Sequence, residues 1–369
     1  MAECIPTRLT YERLGVLVTD FPAYKENGTT SGNLIRVQSL DYSFQHPAVD
    51  VKSIGSDQFI YRNNESPIIR QPDVNCNISY LFSSGENEES LGLHLGSDGS
   101  ILKKFLESES TDDINVIAVA SNKERMQDLS NVNDYSGYHV IGIGNAFLTN
   151  YSYEASVGSL PRASVSLSAS NMKFDQYEPS AAPNLPAIKL GVNNQYSSEK
   201  LYLDQNSFGY DLVSGANAIM PGDIQVNITK HAGNYGGIPV ESEQAAIQSI
   251  SLDVPIDRQD IFGFGSNYVF DRKLKLPIMA NVSIDLILRE YASGQIDSFF
   301  KEGARYDMTI NHTNRYFYSG LRSDTINQFV IENAQLRSQS YSKQIGNEVS
   351  VSTSFVFGVS ASGGFKIIK

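Results

Sequence analysis

The feature that most constrains this chain is a repeat of itself. Val37-Gln38-Ser39-Leu40 recurs as Ile247-Gln248-Ser249-Ile250, 210 positions on. The same offset carries Ile54-Gly55-Ser56 onto Phe264-Gly265-Ser266 and Pro67-Ile68 onto Pro277-Ile278. After a four-residue loss, Asn75-Cys76-Asn77-Ile78-Ser79 matches Asn281-Val282-Ser283-Ile284-Asp285 at an offset of 206. Asn145-Ala146-Phe147-Leu148 then matches Asn333-Ala334-Gln335-Leu336 at 188, as do Ser152-Tyr153 with Ser340-Tyr341 and Val157-Gly158 with Ile345-Gly346. Ser164-Val165-Ser166 is expected to fall on Ser350-Val351-Ser352 after a further two-residue loss. Anchors kept in one order, with losses beside polar or Pro-containing stretches, point to a tandem duplication.

The matched segments read as strands. Residues 74–82, 163–169, 282–288 and 348–356 alternate apolar with Ser or Asn side chains, which sets an apolar face against a polar one. Gly158 and Gly346 stand where a strand must turn or bulge. Each copy has one short helix candidate, carried by Ile101, Leu102, Phe105 and Leu106 in the first and by Ile296, Phe299 and Phe300 in the second. The expected organisation is an N-terminal arm over 1–32, a first unit over 33–175, a spacer with some strands over 176–243, and a second unit over 244–369. The expected fold class is mainly β: two tandem β-sandwich or barrel units, each with one short flanking helix.

Chemistry leaves few traces. Metal-binding, phosphate-binding and nucleophile-elbow motifs are missing, and Gly142-Ile143-Gly144-Asn145-Ala146-Phe147 departs from a dinucleotide fingerprint in its last position. His46, His94, His139, His231 and His312 are dispersed without ligand spacing and read as surface or satisfied core residues. The acid clusters at 86–89 and 107–113 read as solvated loops, and Cys76 as a small buried hydrophobe beside a distant Cys4. The sequence therefore yields no catalytic, cofactor-binding or metal-ligating residue, and the expectation is a protein that is not an enzyme and needs no cofactor. The first 20 residues lack the apolar core of a signal peptide, and no run reaches the length of a membrane span, so no membrane partner is expected.

Two segments carry a family resemblance. Residues 145–152, Asn-Ala-Phe-Leu-Thr-Asn-Tyr-Ser, followed by Ala155-Ser156-Val157-Gly158-Ser159-Leu160-Pro161, resemble a pattern in tail tube proteins of tailed bacteriophages. Met220-Pro221-Gly222-Asp223-Ile224 resembles a further short step of that family. The second copy keeps Asn333-Ala334, Ser340-Tyr341 and Ile345-Gly346 but lacks the Leu160-Pro161 element. The resemblance implies a virion protein, made in the host cytoplasm, whose rings stack into a tail tube around a channel for the genome. It implies self-association as homotrimers with pseudo-sixfold symmetry, with a homohexamer as the alternative, together with contacts to other tail proteins. Phage DNA would pass through the lumen without specific binding. Other ring-forming virion parts (neck, tail completion, baseplate) and a two-domain β-sandwich adhesin or binding module stay open beside it.

Charge supports assembly by alternation. The net charge is −12, but residues 31–175 hold 10 basic against 18 acidic side chains while residues 247–369 hold 13 against 12. A first copy of −8 meets a second copy of +1 with less repulsion than it meets itself. An acidic chain is also a poor clamp for nucleic acid, whose phosphates require Lys and Arg.

Overall fold

The computed structural model describes residues 13–19, 33–35, 37–45, 73–107, 113–121, 138–169, 171–177, 184–186, 196–200, 219–231, 245–264, 269–288, 305–315, 322–342 and 349–369. Alternating side chains produce a mainly β, antiparallel architecture. The first half contains β1 (Arg13–Thr19), β2 (Asn33–Ile35), β3 (Ser39–Gln45), β4 (Asp73–Leu81), helices α1 (Glu86–Ser90) and α2 (Lys103–Glu107), β5 (Ile114–Ser121), β6 (Tyr138–Ser156), β7 (Arg162–Ala169) and β8 (Asn171–Tyr177). Two short strands, β9 (Asn184–Pro186) and β10 (Tyr196–Lys200), pair with each other in the spacer. The second half contains β11 (Ile224–Lys230), β12 (Ala245–Pro255), β13 (Arg258–Phe262), β14 (Val269–Leu274), β15 (Ile278–Leu288), β16 (Arg305–Arg315), β17 (Arg322–Ser342), β18 (Val349–Val359) and β19 (Phe365–Ile368).

The strand path of the first half recurs in the second. The order β3-β4-β7-β6 returns as β12-β15-β18-β17, β1-β5-β6 as β11-β16-β17, and β8 beside β6 as β19 beside β17. Registers agree as well: Ser39 faces Ser79 where Ser249 faces Asp285, and Ile114 faces Ala146 where Tyr306 faces Ala334. Two sequence expectations change. Arg13–Thr19, assigned to the arm, and Ile224–Lys230, assigned to the spacer, are equivalent outer strands of the repeated path. Ser164 corresponds to Ser352, not Ser350, because Ser152 faces Ser164 and its counterpart Ser340 faces Ser352. The offset of 188 therefore continues through β7 and β18.

Each half is folded over by one long strand. The first part of β6 pairs with β5 and β8, and its last part with β7 and β12. The first part of β17 likewise pairs with β16 and β19, and its last part with β18. Both strands change partners beside an asparagine in left-handed conformation, Asn145 (φ 54°) and Asn333 (φ 60°). Asparagine tolerates this region better than most residues. Equivalent hydrogen bonds hold the bends: the Asn145 backbone N–H donates to Asn115 Oδ1 at 3.3 Å, and that of Asn333 to Asp307 Oδ1 at 2.9 Å. Because Asn333 is exposed, Asn333→Ala should lose about 1 kcal/mol in chemical unfolding through left-handed strain alone, while Asn333→Gly should stay close to the parent.

The helical parts are smaller than expected. Helix α2 covers only residues 103–107, and the buried Ile101 and Leu102 precede it in a turn. The equivalent residues Ile296, Phe299 and Phe300, like Gly346, His46 and most of the spacer, lie outside the described residues. The acid cluster at 86–89, read as a solvated loop, is helix α1 with Glu88 fully buried. In the cluster at 107–113, Asp113 is also buried, accepting a 2.8 Å hydrogen bond from Asn145 Nδ2.

One hydrophobic core runs through both halves. Its aromatic centre joins Phe82 and Tyr153 of the first half to His312 and Phe329 of the second, with ring centroids 4.9–5.6 Å apart, mostly edge to face. The segment around α1 and α2 extends this joining: Leu95 bridges to Ile367, and the Ile101 N–H donates to the Phe365 carbonyl at 2.9 Å.

Candidate functional surface

A polar face and two strand edges stand out. The strands β3-β4-β7-β6-β12-β15-β18-β17 form one continuous path, because β12 of the second half pairs with the last part of β6, from Ser249 opposite Ser156 to Pro255 opposite Asn150. Period-two alternation places Val165, Leu167, Val282 and Phe355 in the core and turns serine and asparagine outward. One row of neighbours across the sheet reads Ser39, Ser79, Ser164, Ser152, Asp253, Asn281. The next reads Arg162, Glu154, Ser251, Ser283, Ser354, Ser338.

Cross-strand hydrogen bonds knit this face: Ser39 Oγ to Ser79 Oγ at 3.2 Å, Ser152 Oγ to Ser164 Oγ at 2.7 Å, and Ser249 Oγ to Asp285 Oδ2 at 2.6 Å. Asn150 Nδ2 donates to Asp253 Oδ1 at 2.9 Å. Among the described residues of these eight strands, the acids on this face are Asp41, Asp73, Glu154, Asp253 and Asp285. The bases are Arg162, directly across from Glu154, and the exposed Arg337 at the bulge of β17. A surface of neutral hydrogen-bonding groups with a slight acidic excess repels polyanions weakly and offers phosphates few cationic footholds.

The two ends of the path are open. Strand β3 pairs with β4 alone, and the last part of β17 with β18 alone, among the described residues. Edges of this kind expose backbone donors and acceptors to any strand that approaches.

The junction between the halves is clamped by the β13–β14 hairpin. Arg258 Nε donates to the Leu148 carbonyl at 3.1 Å and Arg272 Nη1 to the Ser168 carbonyl at 2.6 Å. Both guanidinium groups lie over the Phe147 ring, 5.0 and 5.3 Å from its centroid. Asp260, 3.0 Å from Arg272, balances the buried charge. A shallow pocket of 430 Å³ lies where β11 meets this junction, and none of its lining side chains ionises.

The titratable groups singled out from the sequence are dispersed through the fold. His312 is buried, with Nε2 2.7 Å from the Tyr153 hydroxyl, and burial lowers its pKa to about 4. His94 sits 2.9 Å from Asp98, His231 2.8 Å from Asp307, and His139 lies half-buried on β6. Burial raises the Cys76 thiol to about 12 and keeps it inert at neutral pH. Sequence reasoning missed the buried carboxyl of Glu88, which accepts from Tyr80 at 2.8 Å and from Tyr151 at 3.4 Å. Burial raises its pKa to about 7, and the two tyrosine hydrogen bonds offset only part of that rise.

Among the described residues no cluster of three His, Cys, Asp or Glu side chains could hold a metal ion, and no helix is long and apolar enough to cross a membrane. No protein-family model matches the chain, and no curated protein matches it.

Proposed function

We propose that this is a structural virion protein of a tailed bacteriophage that assembles into rings, stacked as a tail tube, and that the Ser- and Asn-rich face lines the channel. The observation that carries the reading is the eight-strand face, rich in Ser and Asn, whose described bases are only Arg162 and Arg337 against five acids. A channel wall for DNA must be wettable and must not bind phosphate, and a hydrogen-bonded lattice of Ser, Asn and a few carboxylates meets both requirements. The open edges at the two ends of the path supply the means of self-association, and their different sequences favour heterologous, ring-forming contacts. Three chains of two similar halves would give a trimer of pseudo-sixfold symmetry, with a homohexamer as the other arrangement. The protein would act in the virion after synthesis in the host cytoplasm, beside other tail proteins, as scaffold and conduit rather than catalyst.

Electron microscopy of the purified protein tests this directly. Stacked rings or tubes with an open channel are expected. Isolated rings that never stack would favour a neck, tail-completion or baseplate part, and monomers at all concentrations would overturn the reading.

A further inference from the structure

The chain already contains one worked example of how its halves join. In that junction the last part of β6 takes β12 as an antiparallel neighbour. The counterpart of β6 is β17, and the counterpart of β12 is β3, the two strands left at the open ends of the path. We propose that a second copy of the chain repeats the internal junction: β3 of one chain lies antiparallel beside the last part of β17 of the next, with Tyr42 opposite Tyr341 and Ser43 opposite Ser340. The proposal deepens the ring reading and rests on it for closure, but the pairing itself is derived from the β6–β12 junction.

The register follows from the offsets that relate the halves. Leu252 faces Tyr153 and Asp253 faces Ser152. Moving β12 back by 210 and β6 forward by 188 turns these pairs into Tyr42 with Tyr341 and Ser43 with Ser340. Both offsets hold in the structure, since the equivalent pairs in β3–β4 and β12–β15, and in β6–β7 and β17–β18, obey them.

Exposure supports the same surface independently. Leu252, Tyr153 and Val254 are buried in the internal junction, at 0%, 1% and 0% exposure. Their counterparts Tyr42, Tyr341 and Phe44 are exposed at 38%, 44% and 50%. Phe174 on β8 is 50% exposed and lies 5.4 Å from the Tyr42 ring, whereas its counterpart Ile367 on β19 is buried beside Leu95. Large apolar side chains are thus exposed where the internal junction buries their equivalents, and they face the ends at which a neighbour would dock. Part of the clamp has a sequence counterpart too: Asp50 and Arg62 repeat Asp260 and Arg272 at the offset of 210, while Arg258 falls on Ala48.

The hydrogen-bond phase of the junction selects the test. The Val157 N–H donates to the Gln248 carbonyl and the Ile256 N–H to the Thr149 carbonyl, so Ser152–Asp253 is a non-hydrogen-bonded pair. Its counterpart is Ser43–Ser340. Such pairs bring Cα atoms to about 4.5 Å, within the span of a disulfide. Both serines are exposed, so cysteine there leaves the core untouched.

In full-length protein with Cys4 replaced by serine, the Ser43→Cys/Ser340→Cys double variant is to be oxidised with diamide and run on a non-reducing gel. A ladder of disulfide-linked chains is expected, with the 43–340 linkage identified by peptide mass spectrometry. An equimolar mixture of the two single variants should stop at a linked dimer. The one-residue-shifted pair Ser43→Cys/Tyr341→Cys should link about tenfold less, because its side chains leave opposite faces. Rings seen by microscopy without a 43–340 linkage, or with a stronger shifted one, would overturn the register and leave the ring reading intact. A 43–340 ladder on open filaments would uphold the register and sink ring closure. Monomers without linkage would sink both.

Discussion

Phe329→Ala should cost about 3–5 kcal/mol in chemical unfolding of the unassembled chain, with one cooperative transition retained. The Phe329 ring is fully buried and meets Phe82, Tyr153 and His312 at 4.9 Å between centroids, and Phe365 at 5.4 Å. Its neighbours come from segments far apart in both halves, so they cannot all collapse into the space left by truncation. Phe329→Leu should lose less, because most of the volume remains. A variant that unfolds in two separate steps would show that the halves hold independent cores.

Glu88 and His312 should give opposite pH dependences that hide each other in the parent protein. Folded, Glu88 keeps its proton to about pH 7, against an ordinary 4.5. Its contribution is therefore full below pH 4.5 and falls as pH rises to 7, by roughly 3 kcal/mol. His312 stays neutral in the fold down to about pH 4, against an ordinary 6.5. Its contribution is full above pH 6.5 and falls as pH drops to 4, by a similar roughly 3 kcal/mol. Between pH 4.5 and 6.5 the two slopes largely cancel. Glu88→Gln should leave stability that rises with pH across this window, and His312→Gln stability that falls. Denaturation midpoints measured at pH 4.5, 5.5 and 6.5 read both slopes, and parallel profiles for the two variants would refute the assignment.

The strands were the most legible part of the chain. In 163–169 and 348–356, alternation alone separates the core-facing valines and leucine from the outward serines. The same periodicity explains one error. A slip of two residues in a Val-Ser alternation keeps every side chain on its own face, so Ser164 could be set against Ser350 as plausibly as against Ser352. Only the pairing of β7 with β6, and of β18 with β17, fixes the choice.

Strands β1 and β11 were within reach, since Leu14, Val16 and Val18 recur at the offset of 210 as Ile224, Val226 and Ile228. The burial of Glu88 was not. It depends on Tyr80, eight positions away, and Tyr151, sixty-three positions away, meeting over one short helix. The outward face was visible strand by strand, but its continuity depends on β12 joining β6, a pairing that no local pattern announces.

The joining of the two halves also governs how the chain matures during synthesis. The Asn327 side chain donates to the Ser83 carbonyl across 244 positions, and Phe365 closes over Tyr151. A ribosome that has completed only the first half has made Phe82 and Tyr153, which pack on each other, but not His312 and Phe329, which complete their cover. Full burial of these two rings waits for the last fifth of the chain, and pairings this distant slow folding. Nascent chains in this interval are expected to present apolar surface to solvent until Phe329 and Phe365 emerge.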